Sequence, residues 1–302
     1  MSGRRFKLLL DAGVGAVAVG MLRAIKWTDR RRMANFAGAL MRKVGPRLKE
    51  HRIGRDNLRA AFPEKSNAEI ETILGGVWDN LGRVAVEFAH LDEFGLEDHG
   101  PQTPDVILFP PTPRRNTYSL TAAGEKPMIG FAAHTANWEL PAVACKRFGA
   151  RFAVLYRRPN IPAISDLVVK LRAPLMGDLI PTSLDAPVRL ARLLQSGVHV
   201  GLLADQHYTR GVEVTFFGRK CVANPLVAML ARQTECPIHG LRVVRQPDRN
   251  SFSIDVTEPV APVRDANGQI DIQGTTQAVT NVIESWIREY PEQWLWLHRR
   301  WR

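Results

Sequence analysis

The chain reads as an α/β protein: a central mixed sheet flanked by helices, preceded by a helical N-terminal region. Two observations carry this. From residue 127 onward, apolar runs of strand length alternate with helical stretches, the pattern of a sheet with helices packed on it. Before that, residues 28 to 95 carry apolar residues at helical spacing together with helix start and stop signals. There is no internal repeat and no low-complexity linker.

Taken in order, Arg4, Arg5 and Lys7 precede an apolar stretch, Leu8 to Ile25, broken by Asp11 and Arg23. Its uncharged core, Ala12 to Leu22, is short for a membrane span. Basic residues flank it and no A-x-A-like cleavage site follows, so residues 1–27 read as an interfacial, membrane-associating helix. An ordinary first helix of the domain is the competing reading. Gly13-Val-Gly15-Ala-Val-Ala18 matches a dinucleotide fingerprint. The acidic residue that fingerprint needs about 20 positions on is missing, and the region is basic, so the match is discounted. Residues 28–302 read as a single domain, helical over 28–100 and α/β over 127–302. Ala34–Val44 is amphipathic before Gly45-Pro46. Arg55–Phe62 is a short helix stopped by Pro63. Ser66-Asn-Ala-Glu69 is a capping box opening a long helix toward Phe88. Residues 100–125, rich in Pro, Thr and Arg, read as loop.

The strand candidates are Met128–Ala133, Ala150–Tyr156, Leu179–Pro181, His199–Ala204, Ile238–Val244 and Ser251–Val256. The helices between them are Leu140–Phe148, Ile161–Leu175, Pro187–Gln195 and Pro225–Thr234. Ligands of such sheets gather at the carboxyl ends of strands. Three polar features occupy those ends: His134, Arg157-Arg158 and Asp205-Gln206.

Composition narrows the partners. The 302 residues carry a net charge of +11, with 45% hydrophobic and 24% charged residues, which fits a folded globular protein. So basic a chain calls for an anionic partner: nucleic acid, anionic lipid or an acidic carrier protein. No nucleic-acid reader fold is visible and the basic residues are spread along the chain. Cys145, Cys221 and Cys236 lack CxxC spacing and read as buried or free thiols, with no zinc framework.

The most informative segment runs from Pro127 to Pro141. A buried strand ends on His134; Asn137 then supplies a helix N-cap, with Trp138, Glu139 and Leu140 in the first turn. On one continuous helix His134 and Glu139 would point about 140° apart. Across a strand–turn–helix junction the chain can bring imidazole and carboxylate together, a pair suited to general-base chemistry. A capped helix beside an unrelated loop histidine is the plainer alternative. Arg157 suits a phosphate, since guanidinium grips it bidentately; a solvated charge is the alternative. Asp205 at a strand end is a helix cap, a metal ligand or an orienting acid. The C-terminal Trp294, Trp296, His298, Arg299, Arg300, Trp301 and Arg302 mix aromatics with cations, as at a membrane–water interface or in a tryptophan core.

The order of these pieces is more specific than any one of them. H-T-A-N-W-E is followed by Y-R-R-P-N, A-D-Q, V-T-F-F-G and P-E-Q-W-L-W-L-H-R-R-W. Asn57-Leu58 through Ala61-Phe62-Pro63 and Gly82-Arg83 to Glu87 extend the pattern toward the N-terminus. The chain closely resembles, over nearly its whole length, the late acyltransferases of lipid A biosynthesis (the lauroyl or myristoyl transferase family). These belong to the glycerolipid acyltransferase group marked by His-x4-Asp/Glu. The resemblance implies His134 and Glu139 as the catalytic pair, and Arg157, Asp205, Asn137 and Gln206 as substrate-binding residues. It implies an acyl-carrier-protein or acyl-CoA thioester as donor, with no cofactor and no metal. The acceptor would be a hydroxyl of a 3-hydroxyacyl chain on a Kdo-bearing lipid A precursor. The implied setting is the cytoplasmic face of a Gram-negative inner membrane, with no nucleic-acid partner.

Overall fold

The computed structural model describes residues 3–94, 106–108, 127–147 and 149–301. Four helices come first: α1 (Gly3–Lys26), α2 (Arg30–Val44), α3 (Lys49–Ala61) and α4 (Asn67–Glu87). The expected capping box opens α4. Ser66 Oγ accepts from Glu69 N, and the Glu69 carboxylate accepts from Ser66 N. Helices α2 and α4 pack closely because the contact positions are small. A Cβ on Gly82 would stand 2.5 Å from the Ala37 carbonyl oxygen. The dinucleotide-like glycines lie inside α1, where Gly15 rests against Ile161 and Ala163.

The sheet strands are β1 (Val106–Leu108), β2 (Ile129–Ala132), β3 (Phe152–Tyr156), β4 (Asp178–Pro181), β5 (His199–Leu203), β8 (Ile238–Arg245) and β9 (Phe252–Val256). They form one seven-stranded sheet in the order β1-β9-β8-β2-β5-β3-β4. Every neighbouring pair is parallel except β8–β9, so the sheet is mixed as the sequence predicts. Helices α5 (Leu140–Arg147), α6 (Pro162–Met176), α7 (Ala186–Gln195) and α8 (Leu226–Thr234) fall between the strands.

Four elements go beyond the sequence reading. An antiparallel ribbon of β6 (His207–Phe216) and β7 (Arg219–Ala223) follows Asp205-Gln206. A long helix, α9 (Ile272–Glu289), packs beside that ribbon, with its Trp286 stacked on Phe131 of β2. Strand β1 falls within the segment read as loop; the rest of 100–125 lies outside the described residues, as does Phe148. Strand periodicity in β6 is masked by its exposed polar residues, so only the pairing with β7 reveals it.

The C-terminal tryptophans are core rather than interface. Trp294 and Trp296 are 1% and 0% exposed, packed edge to face on each other and against Phe216 and Phe217. Arg300 is buried with them, donating to the Val222 carbonyl at 2.8 Å. Among the described residues, no helix is long and apolar enough to cross a membrane.

Candidate active site

The site is fixed by strand register. In the parallel β2–β5 pair, Ala132 stands opposite Leu203. Two residues further along both strands are His134 and Asp205, so the register alone sets them side by side at the carboxyl edge of the sheet. His134 Nδ1 lies 2.8 Å from Asp205 Oδ1, and His134 N donates to Asp205 Oδ2 at 3.0 Å. Trp294 Nε1 donates to the same Oδ2 at 2.7 Å. Burial opposes a charge on Asp205. His134, by charge and by hydrogen bonding, and more remotely His298, outweigh it and hold the carboxyl well below the usual carboxylate range. An ionised carboxylate only accepts, so Nδ1 carries the proton that joins them. The other ring nitrogen, Nε2, is left free of the carboxylate and lies 3.3 Å from the Gln206 side-chain nitrogen.

Glu139 does not hold the imidazole. Its carboxylate takes both arms of Arg172 on α6, with Nε to Oε2 at 2.8 Å and Nη2 to Oε1. That pairing was out of reach of the sequence, because an arginine in mid-helix carries no local signal. Asn137 likewise faces inward. It is 0% exposed, its Nδ2 donates to Glu87 Oε2 at 3.0 Å, and its Oδ1 accepts from Glu139 N at 3.2 Å. The cap is therefore present, but it closes a turn ahead of α5, which begins only at Leu140. Asn137 serves the shape of the turn; the substrate-binding role implied by resemblance does not fit its buried position.

The turn itself is strained and braced. Ala136 has φ 45°, an uncommon value for a residue with a side chain. Its N–H donates to the Gln293 carbonyl at 2.9 Å, and its carbonyl accepts from Asn80 Nδ2 at 3.0 Å. Leu295 N donates to the His134 carbonyl at 3.1 Å. Behind these lies a buried ion pair, Arg245 with Glu87, whose Nη2–Oε2 distance is 2.9 Å; Asn80 accepts from Arg245 Nε at 2.9 Å. Helix α4, strand β8 and the C-terminal segment thus converge on the loop that carries His134.

In front of His134 opens a cavity of about 290 Å³. Its apolar lining includes Val154, Met176, Leu202 and Leu241. Its polar lining includes His134, Glu139, Arg157, Arg172 and Gln206. Gly201 of β5 also lines it, and the Phe152 ring lies where a Cβ on Gly201 would stand, 2.5 Å away. Arg157 and Arg158 are both exposed; Arg157 lines the cavity, and Arg158 Nε lies 3.4 Å from the Tyr156 hydroxyl. No thiol is poised for covalent chemistry there: Cys145 is buried and burial pushes it up to about 12.

A histidine with one nitrogen pinned to a buried carboxylate and the other open, at the mouth of an apolar cavity lined by arginines, is equipped to deprotonate a hydroxyl beside an acyl chain. A sequence model of the bacterial lipid A biosynthesis acyltransferases matches residues 4–302, and the chain belongs to that family. No curated protein matches the chain.

Proposed function

We propose that this lipid A biosynthesis acyltransferase moves a fatty acyl chain from an acyl-carrier-protein thioester to a hydroxyl of a 3-hydroxyacyl chain on a Kdo-bearing lipid A precursor, with His134 as general base. The observation that carries the reading is the His134–Asp205 pair at the mouth of the apolar cavity.

The acceptor hydroxyl loses its proton to His134 Nε2 as its oxygen attacks the thioester carbonyl carbon. Asp205 stabilises the imidazolium that forms and keeps Nδ1 protonated throughout. The carbonyl oxygen becomes an oxyanion. Gln206, already beside Nε2, offers an amide N–H group to it. Collapse breaks the carbon–sulfur bond, and the departing thiolate takes the proton back from Nε2. No covalent enzyme intermediate is needed.

The acyl chain occupies the apolar wall. Arg157, at the exposed rim, takes a phosphate of the lipid or of the phosphopantetheine arm. Arg172 is fixed inside by Glu139, so its cation stays on the cavity wall. The acidic carrier protein and the phosphorylated lipid both suit a chain of net charge +11. The enzyme would work on the cytoplasmic face of the inner membrane, held there by α1. Mass spectrometry of lipid A from a deletion strain tests the assignment. A species short of one secondary acyl chain, restored by wild type and not by His134→Ala, is expected. Unchanged lipid A with loss of a lysophosphatidate acylation would move the enzyme to phospholipid synthesis.

A further inference from the structure

Helix α2 is amphipathic in an inverted sense. The face packed on α4 carries Ala34 and Gly38, both buried. The face turned outward carries the bulk: Phe36 is 62% exposed, Leu40 45% and Val44 37%. Leu48 follows at 41%, and Trp27, in the turn before the helix, is 91% exposed. With about 100° per residue, Arg32, Phe36, Leu40, Lys43 and Val44 fall within an arc of about 120°. Arg32 and Lys43 are exposed, and α2 contains no Asp or Glu. Large apolar side chains on the watery face, interleaved with cations, need a cover that is both apolar and anionic.

From this we infer that α2, in addition to α1, is a membrane-docking element, its outer face seated in the headgroup region of an anionic bilayer. The charge decides the occupant. A second copy of the same face would bring cations against cations, whereas anionic lipid attracts each of them. Of the three exposed apolar side chains on this face of α2 only Phe36 has a ring, whereas single-stranded nucleic acid stacks along successive aromatics, which disfavours it. The preceding helix links this end of the molecule to the cavity. The α1 helix rests on the start of α6, the helix that supplies Arg172 and Met176 to the cavity, and Lys26 at its end pairs with Asp92 at 2.5 Å. With α1, helix α2 would hold the enzyme at the surface where its lipid lies. The inference rests on the reading of the substrate as a membrane lipid.

The test uses the full chain and sedimentation with vesicles of phosphatidylcholine, alone or mixed with phosphatidylglycerol. Arg32→Gln/Lys43→Gln should weaken binding by about fivefold per cation, and only where phosphatidylglycerol is present. Phe36→Ser/Leu40→Ser/Val44→Ser should weaken binding to both compositions by at least about tenfold. Circular dichroism and turnover on detergent-dispersed acceptor should stay at the wild-type level in both variants. Wild-type binding in both variants would overturn the inference. So would a dimer that the serine variant splits, which assigns the face to a second copy. Loss of oligonucleotide retention with vesicle binding intact would assign it to nucleic acid. A wild-type chain that binds vesicles through this face yet acylates no lipid A precursor would leave the docking intact and remove the proposed reaction instead.

Discussion

Two carboxylates flank His134, and they do opposite work. Asp205 is 2% exposed and Glu139 5%, so both are buried. Asp205 spends its lone pairs on the base and on the frame behind it: the imidazole, a backbone amide and an indole. Glu139 spends its own on Arg172, a cation of the cavity wall. Asp205 fixes which ring nitrogen faces it, and Glu139 fixes where a positive charge stands on the cavity wall. The closer carboxylate along the chain is thus the one that does not touch the base. What a buried carboxylate does is decided by its donors.

The comparison can be broken most severely at the ring. On the proposed reaction, His134→Ala should lower turnover by about 10²–10⁴-fold with folding intact, since general-base loss has that size. Asp205→Asn should cost on the order of 10⁴-fold, because an amide turned toward Nδ1 favours the tautomer with Nε2 protonated. If Asp205→Asn kept near-normal turnover while Glu139→Gln lost it, the two roles would be exchanged. The expected result for Glu139→Gln is milder: a raised KM for the carrier-bound donor, because Arg172 is no longer fixed.

A stability measurement sharpens the same contrast from behind the site. Removing Glu87 leaves Arg245 buried without its carboxylate. Glu87→Ala should therefore lose about 3–5 kcal/mol in denaturant unfolding. Trp294→Phe keeps the ring and removes one donor to a charged acceptor, so about 1.5–3 kcal/mol is expected, with some loss of turnover. Either change within 0.5 kcal/mol of wild type would mean that the brace is dispensable.

The smallest effects concern titration and the rim. Burial, the largest influence, keeps His298 below its ordinary value, and Nδ1 is engaged by the Leu295 carbonyl at 2.6 Å while Nε2 is buried without a partner. The unfolded chain binds the proton more readily. Stability should fall as pH drops below about 6.5, the unfolded histidine value, and His298→Gln should flatten that slope in thermal melts. Asp205 contributes no such slope near neutrality. Its folded carboxyl is depressed, so its stabilisation is present above about pH 4 and is lost only in stronger acid. At the rim, Arg157→Lys should impair carrier-dependent acylation, since an ammonium lacks the fork, while Arg158→Lys stays near normal. The reverse ranking would exchange the two arginines.

Much of this was legible in the sequence, and the exceptions share a cause. Apolar runs ending on His134 and on Asp205 announced two strand ends, and strand ends are where ligands gather. Which strands are neighbours was not legible: β2 and β5 are 71 residues apart at this pair, and only the sheet order joins them. Proximity in sequence therefore pointed to Glu139. Arg172 sits in an ordinary helix and Asn137 in an ordinary cap, so nothing local marks the first as a wall residue or the second as buried. The C-terminal tryptophans satisfy core and interface patterns equally well, and burial alone separates the two.

The three donors on Asp205 come from two places, 71 and 89 residues distant in the chain. A knot tied from such remote segments cannot loosen in one corner while the rest stays whole. Heat should therefore extinguish turnover and global ellipticity together, on a single curve. The enzyme would lack the softened, partly active intermediate available to proteins whose working groups sit in one detachable loop.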